Sequence, residues 1–223
     1  MTQLKSSNTL AAPSLKKVLT VANIQNQKVN RLQWDGVFRE ALGRPQDRGI
    51  WFVWGNSGSG KSSFLMQLAK ALALLNMKVL YNLCEEEPDD AEYIDRTELF
   101  SMNEVEDNFH TQSYSYSELM AYLKKRNPPK VVIIDSIKDI TTNWEEYLAL
   151  KKQITKKNII LIIVGQAEGK NPRTEFEKSI RYNAKMKIFV SGYLAVCQGR
   201  TIGPNGGQYI IYQEGYDKLR GAS

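Results

Sequence analysis

Apolar runs of strand length alternate with segments of helical periodicity from Gly49 onward. The first run, Ile50 to Trp54, ends at a glycine-rich turn. The apolar residues of the next segment recur at the spacing of one helix face: Phe64, Leu65, Leu68, Leu72 and Leu75. Strands that alternate with helices are typical of βαβ units, so the pattern predicts an α/β fold with a mostly parallel central sheet flanked by helices.

Further strands are predicted from short aliphatic runs at residues 78–84, 108–112, 131–135 and 158–164. Helices are predicted between them: one through Phe100, one from Ser117 to Arg126, and one that contains Trp144, Leu148, Leu150 and Ile154. The last two strand-like runs, 187–196 and 208–212, flank a glycine-rich turn. They predict a C-terminal antiparallel β-hairpin.

The first 30 residues differ from the rest of the chain because they are polar and are interrupted by Pro13. We expect residues 1–30 to form a flexible N-terminal arm with one short helix, and residues 31–223 to form a single domain. A tail that binds a partner and a frayed terminus both fit this composition.

Composition narrows the class of protein. A chain of 223 residues with 42% hydrophobic residues can bury the core of one domain. No apolar run of membrane-spanning length and no secretory signal occurs, so we expect a cytoplasmic protein without a membrane partner. The net charge of +6 suits a polyanionic partner, and it also suits many ordinary proteins. Cys84, Cys197 and the single His110 offer no zinc cluster, and we expect buried thiols.

The strongest motif is a complete G-x-x-x-x-G-K-[ST] match placed between a predicted strand and a predicted helix. Its glycines allow a tight turn whose N–H groups point at phosphate oxygens, and the helix N-terminus adds a favourable dipole. Lys61 would neutralise the β- and γ-phosphates of ATP. The residues predicted to bind the nucleotide are Gly55, Asn56, Ser57, Gly58, Ser59, Gly60, Lys61, Ser62 and Ser63.

A magnesium site is predicted beside this loop. Asp135 ends an apolar strand and would emerge at the carboxyl edge of the sheet, where it could hold Mg²⁺ together with the Ser62 hydroxyl. In the alternative, Asp135 caps the helix that follows. Ser136 is expected to form hydrogen bonds nearby.

Three adjacent carboxylates, Glu85, Glu86 and Glu87, follow the second strand. Hydrolysis of a γ-phosphate requires a group that orients or deprotonates water, and a carboxylate at a strand end next to the loop can do so. Glu85 is the first candidate for this catalytic base and Glu86 the second. A solvated acidic loop that continues into Asp89, Asp90 and Glu92 is the alternative.

The order of the phosphate loop, a strand ending at Glu85, a strand ending at Asp135 and a strand ending at Gln166 resembles the RecA-like ATPase core. This family includes RecA recombinases, RadA-type proteins and DnaB-type helicases, and compact recombinases of phages and mobile elements. The resemblance implies that Glu85 activates water and that Gln166 senses the γ-phosphate. It also implies a homo-oligomer, as a ring or a filament.

Residues 197–206 resemble the Lys-x-Arg hairpin of the helicase and RadA branch. Arg200 would then be a catalytic arginine finger that reaches the nucleotide of a neighbouring subunit. Gln198 stands where the family has lysine, which puts this catalysis between subunits in doubt.

A long segment from Ala167 to Lys187 carries cations interleaved with aromatic residues. In the RecA-like family the corresponding loop faces single-stranded DNA, and phosphate neutralisation with base stacking needs such residues. The residues predicted to bind DNA are Lys170, Arg173, Lys178 and Arg181. In the alternative, the segment contains a helix that packs Phe176 and Ile180 inward.

Together these features predict a Mg²⁺-dependent, DNA-stimulated ATPase in recombination or replication. A small-molecule kinase whose lid uses Arg173 and Arg181 is a second hypothesis. A nucleotide-gated assembly module with slow hydrolysis, acting through the N-terminal arm, is a third.

Overall fold

The computed structural model describes residues 15–199, 201–204 and 206–221. Its strands are β1 (Gly49–Gly55), β2 (Val79–Leu83), β3 (Phe109–Gln112), β4 (Val131–Asp135), β5 (Ile160–Glu168), β6 (Asn171–Pro172), β7 (Met186–Ser191), β8 (Leu194–Cys197) and β9 (Gln208–Ile210). Its helices are α1 (Val21–Gln25), α2 (Gly36–Leu42), α3 (Lys61–Leu74), α4 (Ala91–Leu99), α5 (Tyr116–Lys124), α6 (Ile137–Ile140), α7 (Trp144–Lys157), α8 (Glu175–Asn183) and α9 (Gln213–Arg220), with a 3₁₀ helix (Met102–Val105) between α4 and β3.

The strands form one sheet in the order β3-β2-β4-β5-β1-β7-β8-β9, and β6 pairs with the end of β5. The pairs from β3 through β7 are parallel, whereas β8 and β9 add antiparallel strands at one edge. The predicted α/β fold with a mostly parallel sheet is therefore confirmed. Since β1 lies in the interior of the sheet, the turn after it opens at the middle of the carboxyl edge.

The C-terminal antiparallel unit has three strands where the sequence predicted two. Residues 187–196 were expected to form one strand, but Gly192 and Tyr193 take φ values of +54° and +58° and reverse the chain between β7 and β8. Two consecutive left-handed residues are the geometry of a two-residue hairpin. The glycine-rich segment therefore joins β8 to β9 and does not join β7 to β9.

The core lies on both faces of the sheet. One face is covered by α2, α3 and α4, and the other by α5, α6, α7 and α8. Strands covered on both sides bury all their side chains, which explains the continuous aliphatic runs in β4 and β5. The inward residues of α7 are Tyr147, Leu150 and Ile154. Leu148, predicted with them, is 44% exposed because it lies one residue outside this stripe.

The segment 15–30 contributes no buried side chain, and α1 is the one short helix expected there. Residues from Leu32 onward do join the core. The N–H of Leu32 donates to the Pro45 carbonyl at 2.9 Å, and the indole of Trp34 donates to the Gly43 carbonyl at 2.5 Å. Helix α2, for which the sequence pattern gave no prediction, buries Phe38 in the same cluster.

The prediction of a long loop from Ala167 to Lys187 is wrong. Strand β5 continues to Glu168 and turns back into β6, and α8 follows. A capping box starts α8, because the Thr174 hydroxyl accepts from the N–H of Glu177 while the Glu177 carboxylate accepts from the N–H of Thr174. The alternative is confirmed: Ile180 is buried and Phe176 packs against the core.

Both cysteines are free thiols; Cys197 is buried and Cys84 is half-buried. Within the described part of the chain, no helix has the length and apolar character needed to cross a bilayer.

Candidate nucleotide-binding site

The phosphate loop runs from the end of β1 to the first turn of α3. Gly58 and Gly60 take φ values of +70° and +97°, which favour glycine. At Gly55 a Cβ atom would lie 2.2 Å from the carbonyl oxygen of Val190 and 2.9 Å from the hydroxyl oxygen of Ser59. The motif therefore has glycine where the backbone must turn or pass another strand closely.

Lys61 begins α3 and folds back over the loop. Its Nζ donates to the carbonyl of Asn56 at 2.8 Å. Burial lowers the pKa of Lys61, although the negative charges of Asp135 and Glu85 oppose this shift. The lysine thus spans the phosphate-binding loop close to two carboxylates.

The loop forms one wall of a cavity of about 360 Å³. The other walls come from the ends of β2 and β4, from α4 and from the β7–β8 turn. The lining residues are Ser57, Gly58, Gly60, Lys61, Ser62, Ser63, Leu83, Glu85, Glu86, Arg96, Asp135 and Tyr193. The carboxyl ends of parallel strands therefore meet a helix N-terminus at this cavity, as the sequence predicted.

Asp135 lies at the end of β4 and accepts a hydrogen bond from the hydroxyl of Tyr81 at 2.8 Å. Burial raises the pKa of Asp135 to about 6, although the hydrogen bond from Tyr81 acts in the opposite direction. A neighbouring cation would stabilise the charged form of a carboxylate in this environment. Ser136 is the N-cap residue of α6, so Asp135 does not cap that helix.

The residues around this carboxylate fit a nucleotide with Mg²⁺. A carboxylate, the Ser62 hydroxyl and phosphate oxygens are the hard oxygen ligands that Mg²⁺ prefers. The Ser59 hydroxyl is buried and has no hydrogen-bond partner among the described residues, so the loop retains an unsatisfied polar atom. Asp135 and Ser62 line the cavity and fit a Mg²⁺ ion held with the phosphates, whereas Ser59 is not among the lining residues.

The three adjacent glutamates have different partners. Glu86 receives two hydrogen bonds from the guanidinium of Arg96, at 2.7 and 2.8 Å. Glu87 accepts from the hydroxyl of Ser113. Glu86 is therefore held in a bidentate ion pair, which distinguishes it from Glu85, the first candidate for the catalytic base.

All three contacts of Glu85 are made by one of its oxygens. Oε1 lies 3.2 Å from Lys138 Nζ, 3.3 Å from the Ser136 hydroxyl and 3.4 Å from Gln166 Nε2. Within the chain as described, Oε2 has neither a hydrogen-bond partner nor an ion-pair partner. The carboxylate is thus held in place by one oxygen while the other is available to accept a proton.

Gln166 connects Glu85 to the surface. Its Oε1 accepts from Arg173 at 3.2 Å, while its Nε2 donates to Glu85. Its backbone N–H donates to Glu177 Oε1 at 2.9 Å. Gln166 was predicted to end its strand, but β5 continues for two more residues. The side chain of Gln166 nevertheless reaches the site, where it contacts Glu85.

Glu177 is a buried support for this arrangement. Besides Gln166, its carboxylate accepts from the N–H and the hydroxyl of Thr174, each at 3.0 Å. At Gly165 a Cβ atom would lie 2.8 Å from Glu177 Oε1, so the glycine leaves space for this carboxylate. The capping residue of α8 thereby fixes the strand that carries Gln166.

The four cations predicted to bind DNA separate into two pairs. Lys170 lies in the β5–β6 turn and Arg173 follows β6, and both are exposed. Lys178 forms an ion pair with Glu175 at 2.6 Å on α8. Arg181 stacks over the Trp54 ring, with its Cζ 4.6 Å from the ring centroid. The predicted arginine finger, Arg200, lies outside the described residues.

Sequence reasoning missed three residues of the site. Arg96 reaches the cavity from α4, and Lys138 reaches Glu85 from α6. The N–H of Tyr193 donates to the Ser59 carbonyl at 3.2 Å, and its ring would contact a Cβ at Gly60. A single arginine within an acidic stretch was a signal for Arg96, whereas Tyr193 depends on a turn that the pattern did not predict.

A protein-family model described as the AAA domain matches residues 44–170, more than half of the chain. The chain belongs to this AAA-domain family. The matched residues of this AAA-domain protein include the phosphate loop, both acidic strand ends and Gln166. No curated protein sequence matches the chain.

Solved structures agree on the fold of the AAA-domain protein. A KaiC-like protein from the hyperthermophilic archaeon Pyrococcus horikoshii aligns with a TM-score of 0.60 and 20% identity, over 82% of this chain and 100% of that one. The flagellar accessory protein FlaH from Methanocaldococcus jannaschii aligns with a TM-score of 0.58 and 19% identity, over 82% of this chain and 92% of that one. Likeness at this identity concerns the fold, which is RecA-like and KaiC-like.

Proposed function

We propose that this AAA-domain protein is a Mg²⁺-dependent ATPase whose turnover is stimulated by single-stranded DNA. The observation that carries the proposal is the hydrogen-bonded series from Glu85 through Gln166 to Arg173. It joins the phosphate-loop cavity to an exposed basic turn. A nucleotide site and a surface that share one hydrogen-bonded series can each respond to the state of the other.

Nucleotide binding rests on the loop from Gly55 to Ser63. Its backbone N–H groups and the α3 N-terminus hold the phosphates, and Lys61 exchanges its contact with the Asn56 carbonyl for phosphate oxygens. Ser62 and Asp135 would hold Mg²⁺, which supplies neutralisation of phosphate charge when bound. The raised pKa of Asp135 favours this role, because a cation offsets the cost of its burial.

Hydrolysis is assigned to Glu85. Lys138, Ser136 and Gln166 hold its Oε1, so Oε2 can take the proton of an attacking water. Glu86 is a poorer base because Arg96 binds both of its oxygens. Gln166 orients Glu85 directly, and a change at Gln166 therefore alters the position of the base.

Lys170 and Arg173 supply the charges for the DNA contact. Arg173 contacts Gln166 directly, so a phosphate that draws Arg173 away would release the glutamine side chain. We extend the proposal to a role of this ATPase in recombination or replication. The kinase hypothesis is less well supported, because Arg173 is hydrogen-bonded to Gln166 and Arg181 is stacked on Trp54, whereas a kinase lid needs both to close over a phosphate.

The decisive experiment is steady-state ATP hydrolysis with and without single-stranded DNA, with Lys61→Ala as the control. We expect DNA to raise the rate and Lys61→Ala to abolish it. If the wild-type protein hydrolyses ATP at the same rate with and without DNA and does not bind DNA at low salt, the DNA function is excluded. The proposed ATPase activity would then still stand. Absence of nucleotide binding would exclude both.

A further inference from the structure

Four basic side chains lie together at the end of the sheet where β1 and β7 begin, opposite the nucleotide cavity. They are Arg31, Arg48, Lys151 and Lys185. Arg48 directly precedes β1 and Lys185 directly precedes β7, whereas Arg31 precedes α2 and Lys151 belongs to α7. Four segments that are distant in the sequence therefore bring their charges to one place.

Two cavities open between these side chains. The first, of about 220 Å³, is lined by Arg31, Arg48 and Lys185, and the second, of about 320 Å³, is lined by Arg48, Lys151 and Lys185. Because two of the cations line both, the cavities adjoin. Among the described residues, no carboxylate lines either of them. We call the pair the basic double cavity.

Core residues supply apolar walls to both cavities. Trp51 and Met186, each 1% exposed, line the first, and Ile154 and Ile159 line the second. Each cavity thus combines apolar walls with three charged groups. Concave sites of this composition bind small ligands, whereas lysines on a flat surface are only solvated.

Neutral oxygen atoms hold the two arginines. Arg31 donates to the carbonyl of Arg44 at 3.1 Å, and Arg48 donates to Asn158 Oδ1 at 2.6 Å. Within the part of the chain that the structure describes, neither guanidinium forms an ion pair. Each uses one N–H group in these contacts, so each keeps further donors for an acidic ligand.

The two lysines are oriented in the same way. Lys151 donates to Asn183 Oδ1 at 3.4 Å, and Lys185 donates to Gln46 Oε1 at 3.0 Å. At Gly49, where φ is +118°, a Cβ atom would lie 2.8 Å from Cδ of Lys185. The glycine that begins β1 therefore leaves space for the stem of a lysine that lines both cavities.

Helix dipoles and neighbouring carboxylates do not account for this charge. Lys151 lies within α7 but outside its last turn, where a cation would complement the dipole, and the other three cations lie outside any helix. Asp47, next to Arg48 in the sequence, is paired with Lys130 at 3.6 Å and lines neither cavity. The gathered cations repel one another, and a bound anion would offset this repulsion.

We propose that the basic double cavity binds a small ligand with two phosphate groups, one at each cavity. Guanidinium groups match phosphate oxygens with paired N–H donors, and several cations at each cavity suit a doubly charged group. A nucleic-acid strand needs a continuous groove along its backbone, whereas these cavities enclose single groups. The inference does not rest on the proposed ATPase activity, because the site lies at the opposite end of β1 from the phosphate loop.

The probe for the test is inorganic pyrophosphate, a minimal ligand of this class. Isothermal titration calorimetry of the full chain is carried out with saturating ADP, so that the phosphate loop is already occupied. We expect pyrophosphate to bind the wild type at one further site. Orthophosphate should bind there at least about tenfold more weakly, because it engages one cavity at a time.

A pair of double variants locates this binding. R48Q/K151Q removes a cation from each cavity and should weaken pyrophosphate binding at least about tenfold, since charge-assisted hydrogen bonds are lost. The matched control is K152Q/K156Q, which lowers the net charge by the same amount at two exposed positions of α7 that line neither cavity. It should change the affinity less than about twofold. Circular dichroism melts establish that both variants are folded.

Three results would overturn the proposal. They are an ADP-saturated wild type that does not bind pyrophosphate, equal losses of affinity in the two double variants, and a loss in R48Q/K151Q of single-stranded DNA binding without a loss of pyrophosphate binding. The last result would assign these cations to a nucleic-acid surface. Neither variant changes the phosphate loop, so the difference between them reports on the double cavity even if ADP does not bind.

Discussion

The hydroxyl of the fully buried Tyr81 donates to Oδ2 of Asp135 at 2.8 Å, and Asp135 lines the nucleotide cavity. The tyrosine hydroxyl offsets part of the cost of burying the carboxylate, yet burial still raises the pKa of Asp135 to about 6 from its ordinary 3.8. A site that holds a partly buried carboxylate without a cation is less stable than one with the cation bound.

Stability should therefore depend on pH through Asp135. Because its pKa is higher in the folded protein, the native state binds more protons, and the free energy of unfolding should fall as pH rises from about 4 to about 6. Without Mg²⁺ or nucleotide, Asp135→Asn should remove this dependence and raise the stability at pH 7 by roughly 1–3 kcal/mol, because asparagine still accepts from Tyr81. Urea unfolding of the wild type and the variant at pH 4 and pH 7 measures the pH dependence of stability and the effect of the substitution. An unchanged slope with pH in the variant would show that other groups cause it.

The two candidate bases should separate by kinetics. Glu85→Gln should lower kcat about 100-fold or more with little change in nucleotide affinity, because it removes the proton acceptor and retains the hydrogen bonds on Oε1. Glu86→Gln should reduce the free energy of unfolding by about 1–3 kcal/mol, since it weakens the pair with Arg96, and should lower kcat less. Single-turnover hydrolysis and unfolding curves compare the two. A larger kcat loss at Glu86 would reverse the assignment.

DNA stimulation should depend on Arg173 more than on Lys178. Arg173→Ala breaks the contact to Gln166, so the increment in rate caused by DNA should fall at least about fivefold. Lys178→Ala is the matched control, because its ammonium is paired with Glu175 and not with a member of this series. ATPase titrations with single-stranded DNA give the increment for each variant. Equal losses at both positions would indicate a general charge effect.

Glu177 should matter for stability although it touches no substrate. Glu177→Ala leaves the N–H groups of Gln166 and Thr174 without their acceptor, so we expect a loss of about 3 kcal/mol. Glu175→Ala, on the exposed side of the same helix, should change stability by about 0.5 kcal/mol or less. Denaturant unfolding tests the pair, and Glu177→Gln should recover part of the loss. Similar values for both alanine variants would contradict this role.

Local motifs explain what the sequence could predict. The phosphate loop is contiguous and the runs before Glu85 and Asp135 are buried on both faces, so their positions followed from strand order alone. The helix within residues 171–187 was harder to predict, because its buried face consists of few residues and most of the segment is polar or charged. The contact between Gln166 and Arg173 depends on the β5–β6 turn. The contact between Tyr193 and the phosphate loop depends on the left-handed conformation of Gly192 and Tyr193. Neither has a periodic signature.

The link between Tyr193 and Ser59 ties the phosphate loop to the C-terminal strands, and the carbonyl of Val190 packs against Gly55 beside it. A ligand that orders the loop therefore also stabilises the β7–β8 hairpin, since each restrains the other. The thermodynamic consequence is long in range: nucleotide should slow amide hydrogen exchange in β7 and β8, more than one hundred residues after the lysine that holds the phosphates.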